Sequence, residues 1–219
     1  MKIYLIRHGE TPWNKQKRFQ GQIDVPLNDY GREIAEITRE AMPYVPYDRV
    51  FSSPLVRARE TADILLRGRE NIHVEVDDRL KEFSFGSYEG TLIADVANNP
   101  EHPLYDCLWH PESYRAPEGA ETFTDLVARA QNFIDDCLIP LSKDPNCRNV
   151  LITAHGAFNR AIVVAVGHKD IADFWTIPYY NCAVTILDLT DGQFTLLQEA
   201  KIYYEAQTDP FSNGKQKPA

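Results

Sequence analysis

Two histidines, each followed at once by glycine, are the residues of this 219-residue chain best suited to chemistry: His8-Gly9 near the start and His155-Gly156 far downstream. An imidazole can act as nucleophile or proton carrier near neutral pH, and a following glycine lets an anion approach the backbone. The first histidine sits in the run Arg7-His8-Gly9-Glu10-Thr11, where the arginine offers a planar fork of donors matched to a phosphate. Phosphoryl transfer spreads negative charge over three equatorial oxygens, so converging cations and N–H donors stabilise it without requiring a metal. Taken alone, the pentapeptide fits equally an ordinary surface histidine beside a salt-bridging arginine.

The elements around these residues argue for a positioned site. Residues 3–6 and 149–153 are apolar or β-branched nearly throughout, as expected of strands covered on both faces of an α/β sheet. Each runs into its histidine, so two buried strands deliver the same chemistry at their carboxyl ends, the edge where open α/β sheets bind ligands. Residues 48–52 read as a further strand, with a helix beginning at Pro54 and running over 56–66. Residues 73–76 predict another strand, and 183–189 and 194–202 a hairpin turning at Asp191-Gly192. Helices are expected at 29–42, 121–138 and 157–166 from apolar spacings of three and four.

The expected fold is therefore α/β: a three-layer α/β/α sandwich with a mostly parallel central sheet and an antiparallel edge. Residues 98–119 carry Pro100, Pro103, Pro111 and Pro117 among aromatic residues, too punctuated for a long regular element. They read as part of a lid insertion over about 83–120 within a single domain, 1–206. The polar end, 207–219, reads as a flexible tail.

Composition narrows the function classes. A hydrophobic fraction of 43% and a charged fraction of 25% are those of a globular chain. The net charge of −9 opposes long-range attraction to nucleic acid or an anionic membrane surface. No apolar run approaches the roughly 20 residues of a bilayer span, and no secretory leader is evident. Cys107, Cys137, Cys147 and Cys182 form no C-x-x-C pair, which predicts reduced thiols in a cytoplasmic protein. His73, His102, His110 and His168 lack the spacing of a zinc site, so neither metal nor cofactor is expected. The hairpin over 183–202 could pair across a homodimer or lie under the tail.

Four separated motifs together resemble the histidine phosphatase superfamily, also called the phosphoglycerate mutase-like family. The first is Arg7-His8-Gly9-Glu10-Thr11 with Trp13-Asn14, Phe19-Gln20-Gly21, Pro26-Leu27 and Gly31. The second runs from Ser52 to Ala62 through Arg57-Ala58; the third is Leu80-Lys81-Glu82 with Gly86 and Tyr88-Glu89-Gly90; the fourth is Ala154-His155-Gly156. The resemblance implies that His8 is the nucleophile and that Arg7, Arg57 and His155 surround the transferred phosphoryl group. It assigns phosphate or substrate-hydroxyl contacts to Asn14, Gln20, Gly21 and Gly156, and selects Arg57 over Arg59. Two residues apart on a helix, those arginines point roughly 200° apart, and Arg59 then reads as an exposed partner of Asp63 or Glu60.

The resemblance also assigns proton transfer to Glu82. A carboxylic acid whose pKa is raised by partial burial could serve both half-reactions. Glu89 is the rival and reads as a structural capping carboxylate, while Glu10 reads as a loop-holding residue.

Two reactions stay open within such a family. A cofactor-dependent phosphoglycerate mutase must hold a second phosphate and a carboxylate, which calls for extra cations. Between Phe83 and Gly119 there is one arginine, Arg115, and no lysine. The run Glu82-Phe83-Ser84-Phe85-Gly86 departs from the mutase pattern, and Ala116 to Thr122 resembles the segment that opens a helix in the phosphatase branch. The expected function is thus a phosphomonoester hydrolase acting through phosphohistidine on a small phosphorylated metabolite, the mutase being the alternative. A non-catalytic phospho-ligand binding module is the alternative of another class. It needs neither nucleophile nor proton carrier. The aromatic residues Phe85, Tyr88, Tyr105, Trp109 and Tyr114 could form an apolar wall against the leaving group or the inner packing of the lid.

Overall fold

The computed structural model describes residues 1–69 and 72–205; the tail expected over 207–219 and the last residue of the expected domain lie outside the described residues. The apolar run 3–6 lies inside β1 (Lys2–Arg7), with Ile3, Leu5 and Ile6 fully buried. A short α1 (Pro12–Lys15) and α2 (Asp29–Ala41) lead to β2 (Arg49–Ser52), α3 (Val56–Leu65) and β3 (Val74–Val76). Then come α4 (Ile93–Ala97), α5 (Tyr105–Trp109) and α6 (Phe123–Phe133), continued through one π-helical turn (Ile134–Leu138) into α7 (Ile139–Leu141). The chain returns as β4 (Asn149–Ala154), α8 (Gly156–Ala165) and the hairpin β5 (Val184–Thr190) and β6 (Gln193–Lys201).

These strands form one six-stranded sheet in the order β3-β2-β4-β1-β5-β6. The first four are parallel neighbours, and β5 and β6 make the antiparallel edge. Alternation along the strands divides the core in two. Ile3, Leu5, Phe51, Val150 and Ile152 join the cluster that contains Leu126, Ala130 and Phe133 of α6 and Phe158 and Ile162 of α8. Tyr4, Ile6, Val50 and Leu151 pack instead with Leu65 and Leu66 at the end of α3, and α3 packs on α2 through Ile64, Ile34 and Ala35. Helices therefore cover both faces, as the expected sandwich requires.

Three expected helix ends are corrected. The helix after β2 starts at Val56, not at Pro54: Ser53 N–H still donates to Thr153 O in extended fashion, and Val56 N–H is taken by Asp24 Oδ1. The helix expected over 121–138 begins at Phe123, because Thr122 and Asp125 form a reciprocal cap at its start. It also runs past Leu138, to Leu141. Pro140 has no N–H to continue the ladder, and the wide turn just before it lets the helix pass the proline ring. The punctuated stretch 98–119 holds only the five-residue α5 as a regular helix.

Strand register positions the site. Arg7 pairs with Ala154 across β1 and β4, and Ser52 with Thr153 across β2 and β4. The next residues, His8, His155 and Ser53, consequently leave three adjacent strands at one edge of the sheet.

Candidate active site

His8 is almost wholly buried, and its ring Nδ1 lies 2.7 Å from the Gly9 carbonyl oxygen. A carbonyl only accepts, so Nδ1 carries the proton and Nε2 keeps a lone pair. Burial, with Arg57 and Arg7 close by, holds the His8 pKa well below the ordinary 6.5. The neutral tautomer is the nucleophilic one. Gly9 N–H donates to Thr61 Oγ at 3.0 Å, fixing the main chain beyond the ring. Gly9 and Gly31 allow this loop to cross α2 closely: a Cβ on Gly31 would sit 2.1 Å from Glu10 O, and one on Gly9 2.4 Å from Gly31 O. The Glu10 carboxylate accepts from Asn28 Nδ2, the loop-holding place expected of it.

His155 is fully buried and meets His8 with ring centroids 5.2 Å apart. Its Nε2 lies 2.7 Å from Ser53 Oγ, and its Nδ1 has no protein partner among the described residues. Burial, followed by Arg57, His8 and Arg7, holds its pKa well below 6.5 as well. Gly156 is the first residue of α8, and its carbonyl accepts from Arg160.

Arg57, on the first turn of α3, is fully buried. Its Nη atoms donate to Ile23 O and Gly21 O, each at 2.7 Å, and its Nε has no protein partner among the described residues. Burial lowers its pKa to about 10, against the pull of Glu82 and Asp24, so it stays cationic at neutral pH. Arg7 donates to Tyr179 O, and its buried Nε also has no protein partner among the described residues. Arg59 is exposed, as expected, but Glu60 is engaged by Arg32 instead.

Glu82 reaches the start of α8. Its Oε1 accepts the N–H groups of Phe83, Ala157 and Phe158 at 3.0, 3.1 and 3.3 Å, whereas Oε2 has one long contact, 3.4 Å, with Ala157 N–H. Oε2 is thus the less engaged of the two oxygens. Glu89 is structural, yet it does not cap a helix. Its carboxylate gathers the N–H groups of Gln22, Ile23 and Phe85 and so ties two loops together. Gly21 makes room for it: the residue has φ +51°, and a Cβ there would collide with Glu89 Oε1.

Asn14 and Gln20 face each other through Thr11. Thr11 Oγ lies 2.8 Å from Gln20 Oε1 and 3.2 Å from Asn14 Oδ1, and Asn181 Nδ2 also reaches Asn14 Oδ1. Both amides use their oxygens inward, so their NH2 groups are the ends left for a ligand.

Sequence reasoning missed several groups. Ser53 and Thr61 lay within the recognised second motif, and their hydroxyls were the available signal. Asn181 donates to the carbonyls of His8 and Gly9, and Arg160 is buried against Trp175 and Tyr179; both depend on contacts distant in sequence. The apolar wall is corrected in part. Phe85 and Tyr114 are buried among Phe83, Phe123 and Phe19, and Tyr105 packs with Trp109. Arg115, the one cation between Phe83 and Gly119, is exposed. Among the described residues no cluster of His, Cys, Asp and Glu has the makings of a metal site, and no helix is long and apolar enough to cross a membrane.

Residues 3–201 match the family model of the histidine phosphatase superfamily (branch 1). The chain is 27% identical over 206 residues to "Putative phosphoserine phosphatase 2" of Hydrogenobacter thermophilus, covering 94% of this chain and 98% of that one. It is 31% identical over 196 residues to "2,3-bisphosphoglycerate-dependent phosphoglycerate mutase 2" of Gloeobacter violaceus, covering 88% of each. Among solved structures it resembles Bacillus stearothermophilus YhfR with a TM-score of 0.82 at 29% identity, covering 92% of this chain and 97% of that one.

Proposed function

The chain belongs to the histidine phosphatase superfamily, branch 1, and on that premise we propose that it hydrolyses a phosphate monoester of a small metabolite through a phosphohistidine on His8. One observation carries the reading. Around a histidine held as the Nδ1–H tautomer, the Nε of Arg7, the Nε of Arg57 and the Nδ1 of His155 are buried polar groups without a protein partner among the described residues. Unpaired buried donors are costly, and the oxygens of a phosphoryl group satisfy them together.

In the first half-reaction the Nε2 lone pair of His8 attacks phosphorus and the ester P–O bond breaks. Glu82 gives its proton from Oε2 to the departing oxygen. Arg7 and Arg57 neutralise the equatorial oxygens and the neutral His155 donates to one of them through Nδ1–H, a service that a metal ion performs in other phosphoryl-transfer sites. In the second, water loses a proton to Glu82 and attacks phosphorus, the N–P bond breaks, and inorganic phosphate leaves. Asn14, Gln20, Gly21 and Gly156 line the approach to the phosphate in this reading.

Hydrolysis rather than phosphoryl return is supported by residues 83–119, which offer no cationic cluster for a second phosphate. The mutase relative keeps the other outcome in view. Residues 1–206 would form one domain, with 83–120 as its lid. Four free thiols, three of them buried, suit the reducing cytoplasm. The hairpin ends the sheet at β6, an edge where a second copy or the tail could lie. Rapid mixing with a labelled phosphate ester, quenched without acid, should trap a phosphorylated enzyme that His8→Ala lacks; an unlabelled native protein would overturn the reading. With phosphoglycerate as substrate, release of phosphate supports hydrolysis, and interconversion of its isomers supports the mutase.

A further inference from the structure

Arg129 lies on α6, far in sequence from every motif that makes the site, yet its guanidinium is committed to the segment that delivers Glu82. Nη1 donates to Arg79 O at 2.6 Å and Lys81 O at 2.7 Å, and Nη2 approaches Glu82 O at 3.4 Å. The same fork makes a two-point ion pair with Glu121, Nε to Oε1 at 2.9 Å and Nη2 to Oε2 at 2.8 Å. Glu121 then holds the other side of the acid. Its Oε2 accepts Ser84 N–H at 3.3 Å, and its own N–H donates to Ser84 O at 2.9 Å.

Glu82 is thereby flanked by two anchors on one charge pair, with the main-chain oxygens of 79, 81 and 82 gathered before it and Ser84 fixed after it. The Arg129 guanidinium also lies 5.5 Å from the ring centre of Phe158, whose N–H is one of the three donors to Glu82 Oε1. Both partners are largely buried, 18% and 14% exposed at the side chain. An exposed pair would contribute little; one that satisfies several main-chain carbonyls is a geometric device. An ammonium is a point charge and cannot meet three carbonyls and both carboxylate oxygens in one plane.

We propose that the Arg129–Glu121 pair is a positioning device for the proton donor: it sets where Glu82 Oε2 stands relative to the leaving oxygen, and neither residue touches substrate. The inference rests on the assignment of Glu82 as the acid. It differs from a purely structural role in one measurable respect. A displaced acid slows departure of a basic alkoxide far more than departure of an aryl oxide that leaves unprotonated.

The test compares kcat/KM, which reads the half-reaction up to loss of the leaving group, for glycerol phosphate and p-nitrophenyl phosphate in native protein, Arg129→Lys, Arg129→Gln, Glu82→Gln and Arg129→Lys/Glu82→Gln. Arg129→Lys keeps the charge and guards against loss of fold, which a thermal melt checks. The alkyl-to-aryl ratio is expected to fall about tenfold in Arg129→Lys and further in Arg129→Gln. The double variant should match Glu82→Gln, since a positioning residue has no effect once its acid is gone. Equal slowing of the two esters, a native ratio in Arg129→Lys, or an additive double variant overturns the proposal. If Glu82→Gln itself leaves the ratio unchanged, the acid assignment fails and takes the proposal with it; the label on His8 reports separately on the nucleophile.

Discussion

The imidazoles of His8 and His155 meet edge to face with their centres 5.2 Å apart, because β1 and β4 run parallel with Arg7 level with Ala154. Two rings so placed, buried and beside two arginines, are both held in their neutral form. Their neutrality keeps a lone pair on His8 and leaves the net positive charge of the site to the guanidinium groups.

That neutrality makes the folded protein acid-sensitive. Both histidines have pKa values well below 6.5 when folded, from burial first and then from the neighbouring cations. Below 6.5 the unfolded chain binds more protons than the native one, so the contribution is fully present above that value and is lost as pH falls. Each histidine adds a slope of up to about 1.4 kcal/mol per pH unit. Urea unfolding between about pH 7 and about pH 5.5 should show a steep loss, and His155→Asn should flatten it.

Arg57→Ala should reduce kcat/KM by about two to three orders of magnitude, the effect of removing one preorganised charge-stabilising donor. Steady-state assays on an aryl phosphate read it. Arg59→Ala, two residues on and exposed, should leave the rate within about twofold. Comparable losses in both would contradict the placement of Arg57.

Glu82→Gln should slow hydrolysis of an alkyl phosphate by about two to four orders of magnitude and that of an aryl phosphate far less. The comparison of kcat/KM values for the two esters decides it. Uniform slowing would mean that the proton comes from elsewhere.

Gly31→Ala should destabilise the fold by about 1–3 kcal/mol, as overpacking does. The added Cβ would press on the Glu10 main chain at 2.1 Å, two residues from His8. Activity should therefore fall together with the denaturant midpoint.

The site was legible in the sequence where function is written locally. His8 and His155 each follow an apolar strand and precede a glycine, so the meeting of the two imidazoles at one sheet edge could be read from short runs. Ser53 was harder, because its link to His155 exists only through the pairing of β2 with β4. Arg129 was invisible: on α6 it looks like any charged helical residue until the carbonyls of 79 and 81 are seen around it. The helix ends differ from the apolar spacing where the partner lies elsewhere in the fold, as with Asp24 accepting Val56 N–H, or where a wide turn before Pro140 carries the helix past Leu138. The aromatic residues of the segment after Glu82 were ambiguous because a packed ring and a ligand-facing ring have the same sequence signature; Phe85 and Tyr114 are packed.

Phe85 and Ala120 form an antiparallel bridge, so the two ends of the stretch between them are fastened to one another before that stretch meets the rest of the molecule. The stretch is a cassette with a closed base. The closed base keeps its two ends side by side, while Gly90 N–H on Phe19 O and Trp175 Nε1 on Cys107 O moor its interior to the body of the protein, so a change of length inside it would be felt at those moorings.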